Sequence, residues 1–433
     1  MRSRRDIIAL FGAVGVSTFA GCNTFGSTTV TPPSDQTAIL RPKQGTANEQ
    51  FGDAVALSED GTTAIIGANA TPDDTGVPKG AAYVFDFNDD WTQQTVLAPR
   101  NGNAGMDFGK ALALSADGTT AVIGAREDNT PNEPSSGSAY VYRKENGSWI
   151  AAEKIIPTDG DLDDYFGDAV TIAADGSTIA VGAFGHEDST GPNAGSVYIF
   201  TSEEGGWVQQ AKLLPDDGHS QAFFGKSLAL SAEGQTLVIG ADRAEDMTGR
   251  AVGSAYVFSK SNTSWRQIKK LTPDRLDNIA KFGWSTALSA DGTTALIGAP
   301  LDDEPGGVHS GSVYVYKTIE GSWKQVTKLT STDSDEFDKF GWSVALTDSG
   351  KGALISAVED APSDGERTGA VYAYTVADNS WRQQTTLTAA NGDLGDRFGG
   401  AVDIAGNGPK GIIGAIFDQN QAAETIGAAY VYE

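Results

Sequence analysis

The stretch FGWSTALSADGTTALIGAP, residues 282–300, followed ten residues later by GSVYVYKTIEGSWKQVTKLT, residues 311–330, decides the fold. It holds four short apolar runs rich in small and β-branched residues, punctuated by Gly, Asp, Ser and Pro. That is the pattern of strands and turns, not of helices. Asp291-Gly292 joins the first two runs and reads as a tight hairpin in which both central residues take positive φ. A polar turn ending at Trp323 joins the last two. One unit is therefore a four-stranded antiparallel meander.

The unit recurs. Phe-Gly pairs begin at Phe51, Phe108, Phe166, Phe224, Phe282, Phe340 and Phe398, a first step of 57 residues and then five of 58. Sixteen residues after each Phe stands Gly67, Gly124, Gly182, Gly240, Gly298, Ser356 or Gly414, each followed by Ala. A fixed period means one structural unit repeated. A lone four-stranded sheet cannot cover both of its faces, whereas seven in a ring can, each packing on the next. The expected fold is all-β: a seven-bladed β-propeller of four-stranded antiparallel blades. Trp91, Trp149, Trp207, Trp265, Trp323 and Trp381 mark the fourth strand of six units, but the seventh unit stops at Glu433 after its third strand. Residues 37–40 precede Phe51 at the distance that Leu97 and its neighbours precede Phe108. They are in register to complete the last blade, closing the ring with the N-terminal strand; its Trp position falls at Ser34.

Across residues 37–433 these FG, GA and GxVYVY elements resemble the FG-GAP repeat family, the module of the integrin α-chain head and of many microbial surface proteins. The resemblance implies a propeller with extracellular recognition roles and no catalysis. One departure matters. Many integrin blades carry an Asp-rich calcium loop between the first two strands. Here that connection is a short Asp-Gly turn in most units, too short to wrap a cation that needs six to eight oxygens. The family's calcium sites are not carried over.

Residues 1–22 read as a targeting segment. Arg4-Arg5 precedes an apolar run too short to span a membrane, and the pair resembles a twin-arginine export signal. Phe19-Ala20-Gly21-Cys22 resembles a lipobox, and Cys22 is the only cysteine, so no disulfide can form within the chain. The expectation is lipidation at Cys22, with residues 23–36, rich in Ser, Thr and Pro, as a flexible tether. The propeller would then be exported and anchored to the outer face of the cell membrane through lipid alone.

The formal charge is −26. The eleven-residue connections between second and third strands hold 19 acids against 5 bases, and the nine-residue linkers before each Phe-Gly add ten net negative charges. Both sets of loops emerge on one face of the disc, so that face should be acidic. A halophile's solvated surface explains such a face, because molar salt shortens the screening length to about 3 Å. Nucleic acid is excluded as a partner, since phosphate binding needs a basic face.

Within the linkers, Asp159, Asp161 and Asp163 alternate before Phe166, as Asp333, Asp335 and Asp338 do before Phe340. Alternating carboxylates can converge on Ca²⁺, which makes calcium in the blade-to-blade loops the one cofactor to consider. His186, His219 and His309 lie in loops, too few and too scattered to specify zinc, and read as surface residues. No GxSxG or HExxH occurs, and no pair of carboxylates stands out for glycoside hydrolysis. The residues two after each Phe are Asp53, Lys110, Asp168, Lys226, Trp284, Trp342 and Gly400. They begin the innermost strands near the channel mouth. The first four alternate in sign and suit ion pairs, while Trp284 and Trp342 stand side by side as a candidate stacking site for a sugar or peptide side chain. Their alternative role is to plug the channel. The sequons at Asn69, Asn146 and Asn262 are candidate glycan sites. The expected function is non-enzymatic recognition of an extracellular protein or glycan. A scaffold for envelope proteins, or a hydrolase or lyase acting on glycans, are the alternatives.

Overall fold

The computed structural model describes residues 30–99, 102–130, 133–188, 190–273, 279–303, 306–361, 367–420 and 422–433. The targeting segment, Cys22 and the tether up to residue 29 lie outside the described residues. Seven four-stranded antiparallel sheets follow one another around a ring. Blade 1 runs Phe51–Leu57, Thr63–Ala68, Ala81–Asn88 and Asp90–Leu97, from the axis outward. The N-terminal strand Gln36–Leu40 pairs antiparallel with Ala428–Tyr432 and supplies the outer strand of blade 7. Around it, Ser34 N and Asp35 N both donate to Glu433 O at 2.9 Å, and Glu433 N donates back to Asp35 O.

The ring is closed a second time at the axis. Glu59 N donates to Ala116 O, Ala116 N to Ala174 O, and the chain of bonds continues through Ala232, Ala290, Asp348 and Gly406. The Gly406 N–H returns to Glu59 O, all at 2.9–3.1 Å. These residues line one cavity together with Leu57, Leu114, Ile172, Leu230, Leu288, Leu346 and Ile404 of the innermost strands.

Between blades, the packing explains the repeated residues. Each Phe of Phe-Gly is fully buried and meets two aromatic rings of its own blade edge-on, as Phe282 meets Tyr314 at 5.4 Å and Tyr316 at 6.1 Å. The core is shared across the junctions: Val238, Val257 and Leu271 of blade 4 pack with Phe282, Ile297 and Tyr314 of blade 5. The glycine sixteen residues after Phe is required by contact. A Cβ on Gly124 would overlap the carbonyl oxygen of Gly167 in the next blade, and the same holds at Gly67, Gly182, Gly240, Gly298 and Gly414.

The Asp-Gly connection differs from the tight turn read from the sequence. In blade 1, Ser58 N donates to Thr63 O and Gly61 N to Ser58 O, closing a four-residue loop. Only Gly61 takes positive φ (66°); Asp60 keeps an ordinary φ because its carboxylate accepts from Ser58 Oγ and Thr62 N, building the turn through its side chain.

Candidate functional site

Six of the seven positions two residues after Phe carry side chains, and contacts between most neighbours place them in a ring at the channel mouth on the loop face. Lys110 Nζ lies 2.9 Å from Asp53, and Lys226 Nζ 2.8 Å from Asp168. Lys110 and Asp168 do not pair directly; Arg126 instead binds Asp168 and Asp107, each at 3.0 Å. Lys226 also lies over Trp284, and Trp284 meets Trp342 with ring centroids 4.7 Å apart at 48°. Both indoles are half-buried. Burial pushes the Asp53 carboxyl up against the pull of Lys110.

A second ring overhangs the first. The residue just before each Phe is left-handed and never glycine: Gln50, Asp107, Tyr165, Phe223, Lys281, Lys339 and Arg397 have φ between 56° and 61°. That conformation costs about 1 kcal/mol or more per residue and turns these side chains over the mouth. Lys281 Nζ sits 4.3 Å from the Trp284 centroid, and Lys339 Nζ 5.7 Å from that of Trp342. Tyr165 stacks on Phe184, which meets Phe223, which carries Arg243 at 4.4 Å. The centre of the acidic face is thus an arc of aromatic and basic side chains over blades 3 to 6. Charge counting along the loops missed this, because the cations alternate with acids in sequence but converge in space.

The linker carboxylates have other partners. Asp159 accepts from Tyr198 Oη at 2.9 Å and from Lys212 Nζ at 2.6 Å. Asp161 is tied through its N–H to Asp164, and Asp163 is an exposed residue with φ 60°. Among the described residues, no group of three or more His, Cys, Asp or Glu is placed to hold a metal ion. His186, read from sequence as a surface residue, is buried between Asp164 and Lys212: its Nδ1 lies 3.0 Å from Asp164 Oδ2, and its Nε2 lies 2.7 Å from Lys212 Nζ. His219 accepts from Glu245 N through Nε2, and His309 packs edge-on against Phe337. Asn146 and Asn262 are exposed at outer hairpin tips, while Asn69 is half-buried with its amide oxygen enclosed.

Among the described residues, one repeated cluster lacks its outer-strand lysine in blade 1, where Val96 stands opposite Tyr83, and lacks any such cation in blade 6. In blades 2 to 5 a lysine of the outer strand reaches a carboxylate beside the third-strand Tyr: Lys154 to Asp128, Lys212 to Asp159, Lys270 to Asp217 and Lys328 to Asp302, at 2.6–2.9 Å. In blade 7 Arg41 binds Asp418. In blade 6 the residue opposite Tyr372 is Thr386, and Tyr372 bonds both Asp360 and Asp333. Burial, then the neighbouring Asp360 and Asp335 charges, pushes Asp338 up to about 7; burial, then Asp333 and Asp335, pushes Asp360 up to about 6. These groups hold their protons more tightly folded than unfolded. Their stabilisation is present below about pH 4 and is lost as pH rises through 6 to 7. Thr386→Lys should restore the missing ammonium and stabilise the fold by about 1–3 kcal/mol at pH 7.5, with little effect at pH 4. Thermal melts at the two pH values check this, and equal shifts at both would contradict it.

A ring of seven such blades, with a tilted pair of indoles in contact at its mouth, is a propeller of the binding type. The FG-GAP repeat profile matches residues 35–85, 91–142, 149–200, 207–258, 265–316, 323–374 and 381–432, and the chain belongs to that family. Each matched segment begins with an outer strand and ends in the third strand of the next blade, the phase that the closing strand requires. A comparison with curated proteins finds no match.

Proposed function

We propose that this protein recognises an extracellular glycan or protein through the loop face of its propeller, centred on Trp284 and Trp342. The observation that carries this is the overhanging ring. Seven non-glycine residues hold a costly left-handed conformation around one mouth; two of them, Lys281 and Lys339, set ammonium groups over the two half-buried indoles, and Tyr165 and Phe223 extend the aromatic arc. Strain of this kind collects where a side chain must be aimed. The acidic loops around the mouth would keep the surface soluble in high salt and steer the choice of partner. Lipidation of Cys22 would hold the propeller at the outer face of the membrane; a Cys22→Ser chain that stays equally membrane-bound would rule that anchor out.

The test of recognition is a pull-down from the cell-envelope fraction in molar salt. Wild type should retain a polymer or protein saturably, and Trp284→Ala/Trp342→Ala should lose it while melting at nearly the same temperature. Equal retention by both would move the interface elsewhere and favour a scaffold.

A further inference from the structure

Six of the seven positions two residues after Phe carry side chains, in contact as Asp53–Lys110 and as the run Asp168–Lys226–Trp284–Trp342, with Arg126 on Asp168 between the two groups; the seventh is Gly400 in blade 7. The backbone does not demand glycine there. A Cβ on Gly400 would meet only Arg397 O at 3.4 Å and Gly414 O at 3.9 Å, ordinary contacts, and its φ is not in the left-handed region. The side-chain ring is therefore interrupted between Trp342 of blade 6 and Asp53 of blade 1. Arg397 overhangs this gap from the position that sets Lys281 over Trp284 and Lys339 over Trp342. Those lysines are answered by Asp242 at 3.3 Å and Glu359 at 2.6 Å. Arg397 is exposed, rests on Phe417 at 5.2 Å and makes no ion pair among the described residues.

We infer that the gap over Gly400 is a subsite for one acidic sugar residue of a saccharide, an inference that rests on the recognition reading above. Two walls match two parts of such a ring. Arg397 offers a planar fork to a carboxylate. Trp342 offers an indole to the apolar C–H face of the sugar. Asp53, across the gap, is held through both carboxylate oxygens by Lys110 and closes that side. A sugar acid carries one negative charge per ring, which Arg397 can take up. A polyphosphate or a run of acidic side chains would instead press further charge against Asp53 and the acidic loops.

The full-length chain is titrated at fixed salt with a galactose oligosaccharide ending in a single galacturonate and with the same oligosaccharide after reduction of its one carboxyl. Wild type should bind the acidic form at least tenfold more tightly. Arg397→Gln should abolish that preference, and Gly400→Trp, filling the gap, should weaken binding of both forms at least tenfold. Arg397 is on the surface, so its variant reports even if Gly400→Trp folds poorly. Equal binding of the two forms by wild type, an unchanged preference in Arg397→Gln, equal binding of tetraglutamate, or no binding of either oligosaccharide would each overturn the assignment. Recognition at the mouth fails separately, if the envelope pull-down retains nothing on wild type or as much on Trp284→Ala/Trp342→Ala.

Discussion

Gly124→Ala is expected to destabilise the propeller by about 3 kcal/mol or more, although it adds one methyl group. The new Cβ would run into Gly167 O of the next blade, a backbone atom. That neighbour has little freedom to retreat. Its own N–H is bonded to Gly182 O at 2.9 Å, and its φ of 97° belongs to glycine. Relief would require two blades to separate, opening a core in which Phe166 and Val122 are fully buried. Blade 6 supplies the control. Ser356 already stands at the equivalent position, its Oγ accepting from Ser343 N at 2.9 Å, while Ser343 Oγ accepts from Val402 N at 3.2 Å in blade 7. Ser356→Ala should therefore cost only about 1 kcal/mol, the value of a lost hydrogen bond. Urea melts of the two variants decide the point; equal losses would mean that blade spacing does not set the Gly-Ala pattern.

A chain beginning at Arg41 should lose more still. It lacks Leu40, whose buried side chain packs with Phe51, Ala429 and Val431, and it strips the ladder from Ala428–Tyr432. Losing the Leu40 side chain alone is worth about 2–4 kcal/mol. The bare edge adds a second consequence, because an unpaired strand is a template for another chain. The seven-bond ring at the axis would still link blade 7 to blade 1 through Gly406 and Glu59. The expected result is thus a lower, broader melt with concentration-dependent association, not a wholly unfolded chain. A sharp, concentration-independent melt at the full-length temperature would show that the N-terminal strand is dispensable.

The fold was legible because its demands fall on residue types with few substitutes. Phe fills a fixed hole, Gly allows a backbone approach, and both recur at a period that only a ring of equal blades accommodates. The closing strand could be placed from its spacing to Phe51 for the same reason. The site was less legible, since its parts come from columns that vary. Trp284 and Trp342 could be named from one column. The overhanging ring of Tyr165, Phe223, Lys281, Lys339 and Arg397 occupies the column just before Phe, where a left-handed φ leaves no mark in residue type. The lysines at 154, 212, 270 and 328 also recur at 58 residues, and that column could have exposed Val96 and Thr386 as members without a cation. Burial of His186 could not be read, because it depends on Lys212 reaching across from another strand.

The most direct test of the recognition face is oxidative footprinting of the tryptophans, with and without saturating envelope fraction. Protection confined to Trp284 and Trp342, with Trp149 and Trp381 on the outer strands unchanged, is the result expected if the mouth binds. Unchanged oxidation of the central pair, with protection on the outer strands, would contradict it.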